Sequence, residues 1–193
     1  MRILRLLTVL TVTPFTNAVS QQQPATNDGS HRSGAFFGVG LTYGQTSGLA
    51  FTYQSDGLHT HTLNVRVGGT ISPHFRIGGE VDLGIWVSRS DPYGMAALAL
   101  VGTIYPVASA GFFVKAGIGA HHYNEWIVDY GDAVTALTGV AGVGYDFLHS
   151  GGRFSFTPFL QIAVGLTNPT TDQYSGEESK IRLWQVGLSV TWH

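Results

Sequence analysis

The sequence predicts an all-β fold, an eight-stranded antiparallel up-and-down transmembrane β-barrel in meander order, and three observations carry that expectation. Eight segments of about ten residues alternate apolar with polar side chains, the length and period of a strand that crosses a membrane at a tilt. Charged residues make up only 11% of the chain while glycine reaches 26 of 193, a balance that ill suits a soluble sheet with wet faces. The connections also alternate: residues 72–74, 107–110 and 148–153 are short, whereas 45–61, 88–94, 123–133 and 167–180 are longer, as tight periplasmic turns and extended outer loops would be.

Taken in order, residues 1–20 read as a secretory signal peptide. Arg2 and Arg5 precede the apolar run Ile3 to Phe15, and Thr16, Ala18 and Ser20 supply small residues for cleavage after Ala18 or Ser20. Residues 21–33 are polar and without periodicity, too poor in apolar surface to fold alone, and read as a flexible periplasmic tail. The barrel then occupies 34–193, with strands expected at 35–44, 62–71, 75–87, 95–106, 111–122, 134–147, 154–166 and 181–192. Their apolar residues recur every second position and glycines sit throughout, which excludes amphipathic helix. No stretch after the leader approaches the roughly 18 uninterrupted apolar residues of a membrane helix. The remaining length, about 170 residues, allows one closed barrel and no second domain.

Composition removes several functional classes. The chain has no cysteine, hence no disulfide, thiolate metal site, cysteine nucleophile or lipid-modified cysteine. Setting Arg2 and Arg5 aside leaves 8 basic against 12 acidic residues with no basic cluster, so nucleic acid is not an expected partner. No cofactor is expected.

The two faces of each strand separate cleanly. Apolar rows run Phe37, Val39, Leu41, Tyr43; Leu63, Val65, Val67, Ile71; Phe75, Ile77, Val81, Leu83, Ile85, Val87; Phe112, Val114, Ala116, Ile118; Leu160, Ile162, Val164; and Trp184, Val186, Leu188, Val190, Trp192. The opposite rows hold Arg66, Arg76, Glu80, Asp82, Lys115 and Asp146 with Asn64, Gln161, Gln185, Ser189 and many glycines, and the strand charges are expected to avoid the apolar rows altogether. Periodicity alone fits either a membrane barrel with apolar rows outside or a secreted lipocalin-like barrel with them inside. The membrane version is favoured because aromatics gather near the row ends. Phe75, Phe112 and Trp192 fall at one level, with Phe37, Tyr145, Phe147, Phe154 and Phe156, and Tyr43 and Trp184 at the other, as interfacial girdles.

The segments GAFFGVGLTYG, RVGGTISPHFRIGGEVDLG, GFFVKAGIGA and LWQVGLSVTWH resemble the small eight-stranded outer-membrane barrels of the OmpA-like and opacity-protein group over residues 34–193. The resemblance implies a monomeric or weakly associating envelope protein in the bacterial outer membrane, both termini periplasmic, contacting outer-membrane lipids and lipopolysaccharide. It further implies insertion by the barrel-assembly machinery, which in that group reads an aromatic residue at the end of the last strand; here Trp192 is followed by His193. Functions in the group range over envelope structure, adhesion and immune interaction, and the expectation is a non-enzymatic protein acting through its outer loops.

Two chemical readings compete with that one. His121, His122, Asn124 and Glu125 lie near the outer end of the fifth strand, where a lipid A acylhydrolase or acyltransferase would need a base, with Ser179 as a distant nucleophile. Barrel deacylases carry a serine close behind the histidine, and AHHYNEW has none, so rim histidines in hydrogen bonds are the expectation. His59 and His61, one residue apart, would point the same way and require a third ligand such as Asp56 to hold a metal; solvated loop residues are expected instead, and no metal site. The outer loops are acidic in aggregate, through Asp56, Asp91, Glu125, Asp129, Asp132, Asp172, Glu177 and Glu178 against Arg89 and Lys180.

Inside the barrel the charges are expected to compensate one another. A three-residue turn at Ser72, Pro73 and His74 would pair Ile71 with Phe75, Thr70 with Arg76, Arg66 with Glu80 and Asn64 with Asp82, making an Arg66–Glu80 ion pair, whereas a two-residue slip would set Arg66 opposite Asp82; either way Arg66 is expected to meet a carboxylate. Arg76 and Lys115 against Asp82 and Asp146 would complete a neutral network and, with Tyr105, fill an interior too narrow for bulk permeation.

Overall fold

In the computed structural model, which describes residues 33–47, 58–87, 92–125, 133–149, 153–167 and 181–193, eight strands form a closed antiparallel barrel in meander order. They are β1 Gly34–Ser47, β2 Leu58–Ser72, β3 Phe75–Val87, β4 Pro92–Ile104, β5 Phe112–Glu125, β6 Ala133–Tyr145, β7 Phe154–Gly165 and β8 Arg182–Trp192. A two-residue piece, Phe147–Leu148, carries β6 past Asp146 and pairs with Phe156 and Ser155. Each strand pairs with its neighbours in sequence, and β1 pairs with β8 from Phe37–Trp192 to Ser47–Arg182, which closes the sheet and leaves no open edge. The signal peptide, the tail, the segment LAFTYQ and most of the outer-loop acids lie outside the described residues.

The strands run further at their loop-bearing ends than apolar alternation indicates. The first hairpin reaches Ser47 and begins again at Leu58, β4 starts at Pro92, and β5 continues to Glu125. Apolar periodicity stops where the surface turns polar, but the backbone ladder does not need apolar side chains. Thr46 and Thr60 hydrogen-bond inside the barrel at 3.3 Å, and Tyr43 meets His59 Nδ1 outside it at 2.6 Å.

At the opposite end the β2–β3 hairpin has the expected register with one irregularity. Arg66 lies opposite Glu80, Asn64 opposite Asp82 and Thr70 opposite Arg76, but Phe75 pairs with Ser72 and not with Ile71. Ile71 is the extra residue of a β-bulge, leaving the tight turn to Pro73 and His74.

The apolar rows face outward. Leu41 is 70% exposed, and Leu63, Val67, Ile77, Leu83, Ile118, Leu160, Ile162 and Val186 are exposed with it, while the polar rows are buried. This is the reverse of a lipocalin-like barrel and removes that alternative, because an exposed apolar surface of this extent has no place in water. One strand charge departs from the expected separation: Arg182, at the loop-bearing end of β8, stands in the outward row.

Glycines let the interior fill with large side chains. A Cβ on Gly187 would come within 2.5 Å of the Phe159 ring and 2.7 Å of the Thr42 methyl group. Gly187→Ala is therefore expected to destabilise the barrel by about 1–3 kcal/mol, with a ring forced off its rotamer, as read by denaturant titration in lipid vesicles. A change within error would show that Phe159 has room to retreat.

Candidate functional site

The barrel interior is built in layers. Next to the short turns, Arg76 lies 3.6 Å from the Asp146 carboxylate and donates to the Tyr105 hydroxyl at 3.0 Å, which in turn donates to Asp146 at 2.8 Å. Thr157 donates to the other Asp146 oxygen at 2.6 Å, so both carboxylate oxygens are engaged. The Arg76 guanidinium lies between the faces of Phe36 and Tyr105, 5.3 and 5.2 Å from their centroids, and also meets His193 Nδ1 at 3.1 Å. His193 continues to Ser155 through Nε2 at 3.0 Å, so the residue after Trp192 joins the interior network.

At mid-height the pairing differs from the one the sequence predicts. Lys115 Nζ donates to both Glu80 oxygens, at 2.9 and 2.7 Å, and the lysine is 1% exposed. Arg66, although opposite Glu80 in the ladder, turns away and donates through Nη2 to Ser189 and, at 3.2 Å, to Thr191. The expected Arg66–Glu80 pair is thus replaced by Lys115–Glu80. Barrel closure brings β5 across to β3, and the shorter, point-charge ammonium takes the carboxylate in the confined centre. Phe159 separates the two cations, with Lys115 5.0 Å and Arg66 5.4 Å from its centroid.

Asp82 is held by neutral amides, accepting from Asn64 Nδ2 at 2.7 Å and from Gln161 Nε2 at 3.4 Å. Gln161 also donates to Gln185, which donates to Thr62 at 2.8 Å and to Thr42 at 3.1 Å. Arg66, Arg76 and Lys115 balance Glu80, Asp82 and Asp146, and all six are buried. The cavity beside Arg66, Arg76, Glu80 and Asp146 measures only ≈ 20 Å³, about the room one water needs. Towards the loop-bearing end, Met95, Tyr123, Val140, Ile181 and Leu183 pack across the lumen as an apolar plug. Sequence reading missed this plug because its members stand in rows otherwise dominated by polar and small residues.

The outer histidines do not converge. His121 is buried with Nδ1 2.8 Å from the Thr138 hydroxyl, while His122 points outward with Nδ1 2.8 Å from that of Thr135. Adjacent strand residues face opposite sides, so the two cannot share one catalytic centre. The side chains of Asn124 and Glu125, and Ser179 as a whole, lie outside what is described. His59 and His61 do share the outward face, where they flank Tyr43 with ring centroids 5.7 and 5.3 Å away. Among the described residues no cluster of three His, Cys, Asp or Glu side chains is placed to hold a metal ion, and Asp56 lies outside them.

Of the aromatic residues singled out for girdles, Trp192 stacks on Phe37 at 6.0 Å and lies opposite Phe154, while Phe112 lies opposite Tyr145. Phe75 is half-buried, opposite Ile104. At the other end Tyr43 meets Trp184 edge-on at 6.4 Å, and Trp184 Nε1 donates to Gln45 at 3.3 Å.

A closed eight-stranded meander with an apolar outside and a filled, charge-balanced inside is the fold of the small outer-membrane β-barrels. Comparison with solved structures agrees. Neisserial surface protein A (NspA) superposes with a TM-score of 0.57 at 10% identity, covering 83% of this chain and 97% of that one. Ail, the attachment invasion locus protein of Yersinia pestis, gives 0.52 at 8% identity over 83% and 99% of the two chains. Its complex with the heparin analogue sucrose octasulfate gives 0.54 at 9% over the same shares. No protein-family model matches the chain and no curated protein matches it in sequence, so the likeness is one of fold.

Proposed function

We propose that this chain is a bacterial outer-membrane protein, non-enzymatic and monomeric, that serves envelope structure or surface interaction through the segments joining the outer ends of its strands. The observation that carries this reading is the exposed apolar belt around an interior filled from end to end by paired charges, amides and an apolar plug. Such a barrel needs a lipid surround and offers no open lumen, which leaves the outer connections as the part through which a partner would be met. The structural neighbours include a surface protein and an attachment protein, which supports the surface-interaction reading. In this reading both termini are periplasmic and the short turns lie on the inner side. Tyr43 and Trp184 at the outer interface, and Phe75, Phe112 and Trp192 at the inner one, form the girdles.

Cell fractionation followed by protease treatment of intact cells tests location and topology together. Cleavage is expected near residues 54–57, before β2 begins at Leu58, and within 170–179, with the turns at 72–74 and 148–153 spared until the outer membrane is breached. Cleavage at those turns in sealed cells would invert the topology, and recovery of the chain from the soluble fraction would overturn the membrane assignment.

A further inference from the structure

Three side chains with metal-binding chemistry share one outward patch at the loop-bearing end of the first hairpin. His59 and His61 stand two residues apart on β2, so both imidazoles leave the same face, with Thr60 buried between them. Their backbones are about 6.7 Å apart, a gap that two imidazoles can close on one ion. The ladder sets Tyr43 of β1 directly opposite His61, and its side chain leans along the strand to His59, the hydroxyl 2.6 Å from Nδ1. The Tyr43 ring centroid is 5.7 Å from that of His59 and 5.3 Å from that of His61, so the tyrosine bridges the pair. His61 makes no hydrogen bond among the described residues that would hold it away from that hydroxyl. All three residues are exposed. On β8, Trp184 closes the patch, edge-on to Tyr43 at 6.4 Å and hydrogen-bonded to Gln45.

We propose that Tyr43, His59 and His61 form a surface site for a divalent copper ion. A cation bonded at about 2.0–2.1 Å to both Tyr43 Oη and His59 Nδ1 subtends an angle of about 80° at their present separation, and about 90° once they part by ~0.3 Å. With Nδ1 accepting, a single proton lies between two atoms that both become ligands when it departs to solvent, so the ion replaces a proton in a contact already made. The donor set is then one phenolate oxygen and two imidazole nitrogens, with water in the remaining positions. Calcium and magnesium take oxygen ligands, which two imidazoles do not supply. A set of N and O donors at near-right angles suits tetragonal Cu(II) better than tetrahedral Zn(II), and copper heads the divalent order of affinity for such ligands. Tyr43 thus supplies the third donor that no described acid offers the histidine pair. Binding here needs only access from water and does not depend on which side of the membrane this end faces.

The test titrates the full chain, folded into phosphatidylcholine nanodiscs, with copper(II) sulfate and follows visible absorption and tryptophan fluorescence. Copper is expected to bind with a phenolate-to-copper charge-transfer band, which imidazoles alone do not give, and to quench Trp184 beside Tyr43. Nickel and zinc should bind more weakly, and magnesium not at all. Tyr43→Phe keeps the ring and is expected to abolish the band. Tyr43→Phe and His61→Gln should each lower affinity by at least the roughly 10–100-fold that losing a mere supporting residue costs a metal site. His122→Gln, which removes an outward histidine of β5 turned to Thr135, should leave band and affinity unchanged. His61→Gln is the deciding variant should Tyr43→Phe fail to fold. Copper bound without the band, a band that survives in Tyr43→Phe, zinc preferred over copper, or equal losses in His61→Gln and His122→Gln would each overturn the site.

Discussion

Glu80→Ala is expected to be among the most damaging single substitutions in the barrel, costing about 3–5 kcal/mol in denaturant titrations of the vesicle-folded protein. It strands Lys115, which is 1% exposed and donates to both oxygens of that carboxylate. It also leaves Lys115 and Arg66 facing each other across Phe159, with Asp82 as the remaining nearby carboxylate among the described residues. Lys115→Met should cost less, because Arg66 lies opposite Glu80 in the ladder, has a buried Nε without a partner, and can turn to the vacated carboxylate. The double variant Glu80→Ala, Lys115→Met should fall well short of the sum, with a coupling of about 0.5–3 kcal/mol. Arg66→Ala should couple to Glu80 far more weakly, since its present partners are the hydroxyls of Ser189 and Thr191. Additive losses for Glu80 and Lys115, or a stronger coupling to Arg66, would mean that the interior pairs are arranged as the β2–β3 ladder alone indicates.

That contrast marks how far the sequence carries. Parity separates Arg66, Arg76, Glu80, Asp82, Lys115 and Asp146 from the apolar rows without any structure, because a period of two is a local property. The register Arg66–Glu80 is equally local, being set by a tight turn only six residues away, and the bulge at Ile71 absorbs its one discrepancy without moving a face. Which cation reaches Glu80 is different in kind. Lys115 lies two strands away and meets Glu80 through the lumen, so the pairing depends on strand tilt and closure, neither of which is written in any one hairpin. The same limit hid the link from His193 to Arg76 and the plug around Tyr123, which bring together residues far apart along the chain. Conversely, Arg182 shows that a charge in an apolar row is tolerated at the rim, where position along the strand matters as much as face.

Depth, accordingly, is what the second large effect should report. Along β8 the outward row runs Trp184, Val186, Leu188, Val190 and Trp192, and Leu188 stands at its middle, 44% exposed between Leu41 and Pro158. Placing lysine at each of these five positions in turn should give a peaked profile: about 2–4 kcal/mol lost at Leu188, falling to about 0–1 kcal/mol at Trp184 and Trp192 once the packing lost with each ring is subtracted through the matching alanine variants. The cause is the hydrocarbon, which offers an ammonium no partner at mid-depth, whereas a lysine near either end snorkels to the headgroups. Face and depth can be separated with one more substitution. Ser189 is buried and accepts a hydrogen bond from Arg66, so Ser189→Asp places a carboxylate beside a guanidinium that now has only hydroxyl partners. It should be tolerated far better than Leu188→Lys one residue away. Measured by equilibrium unfolding from vesicles, a flat lysine profile would mean that the apolar row does not face lipid, and a cost at Ser189→Asp matching that at Leu188→Lys would mean that the charged face is not compensated as its geometry requires.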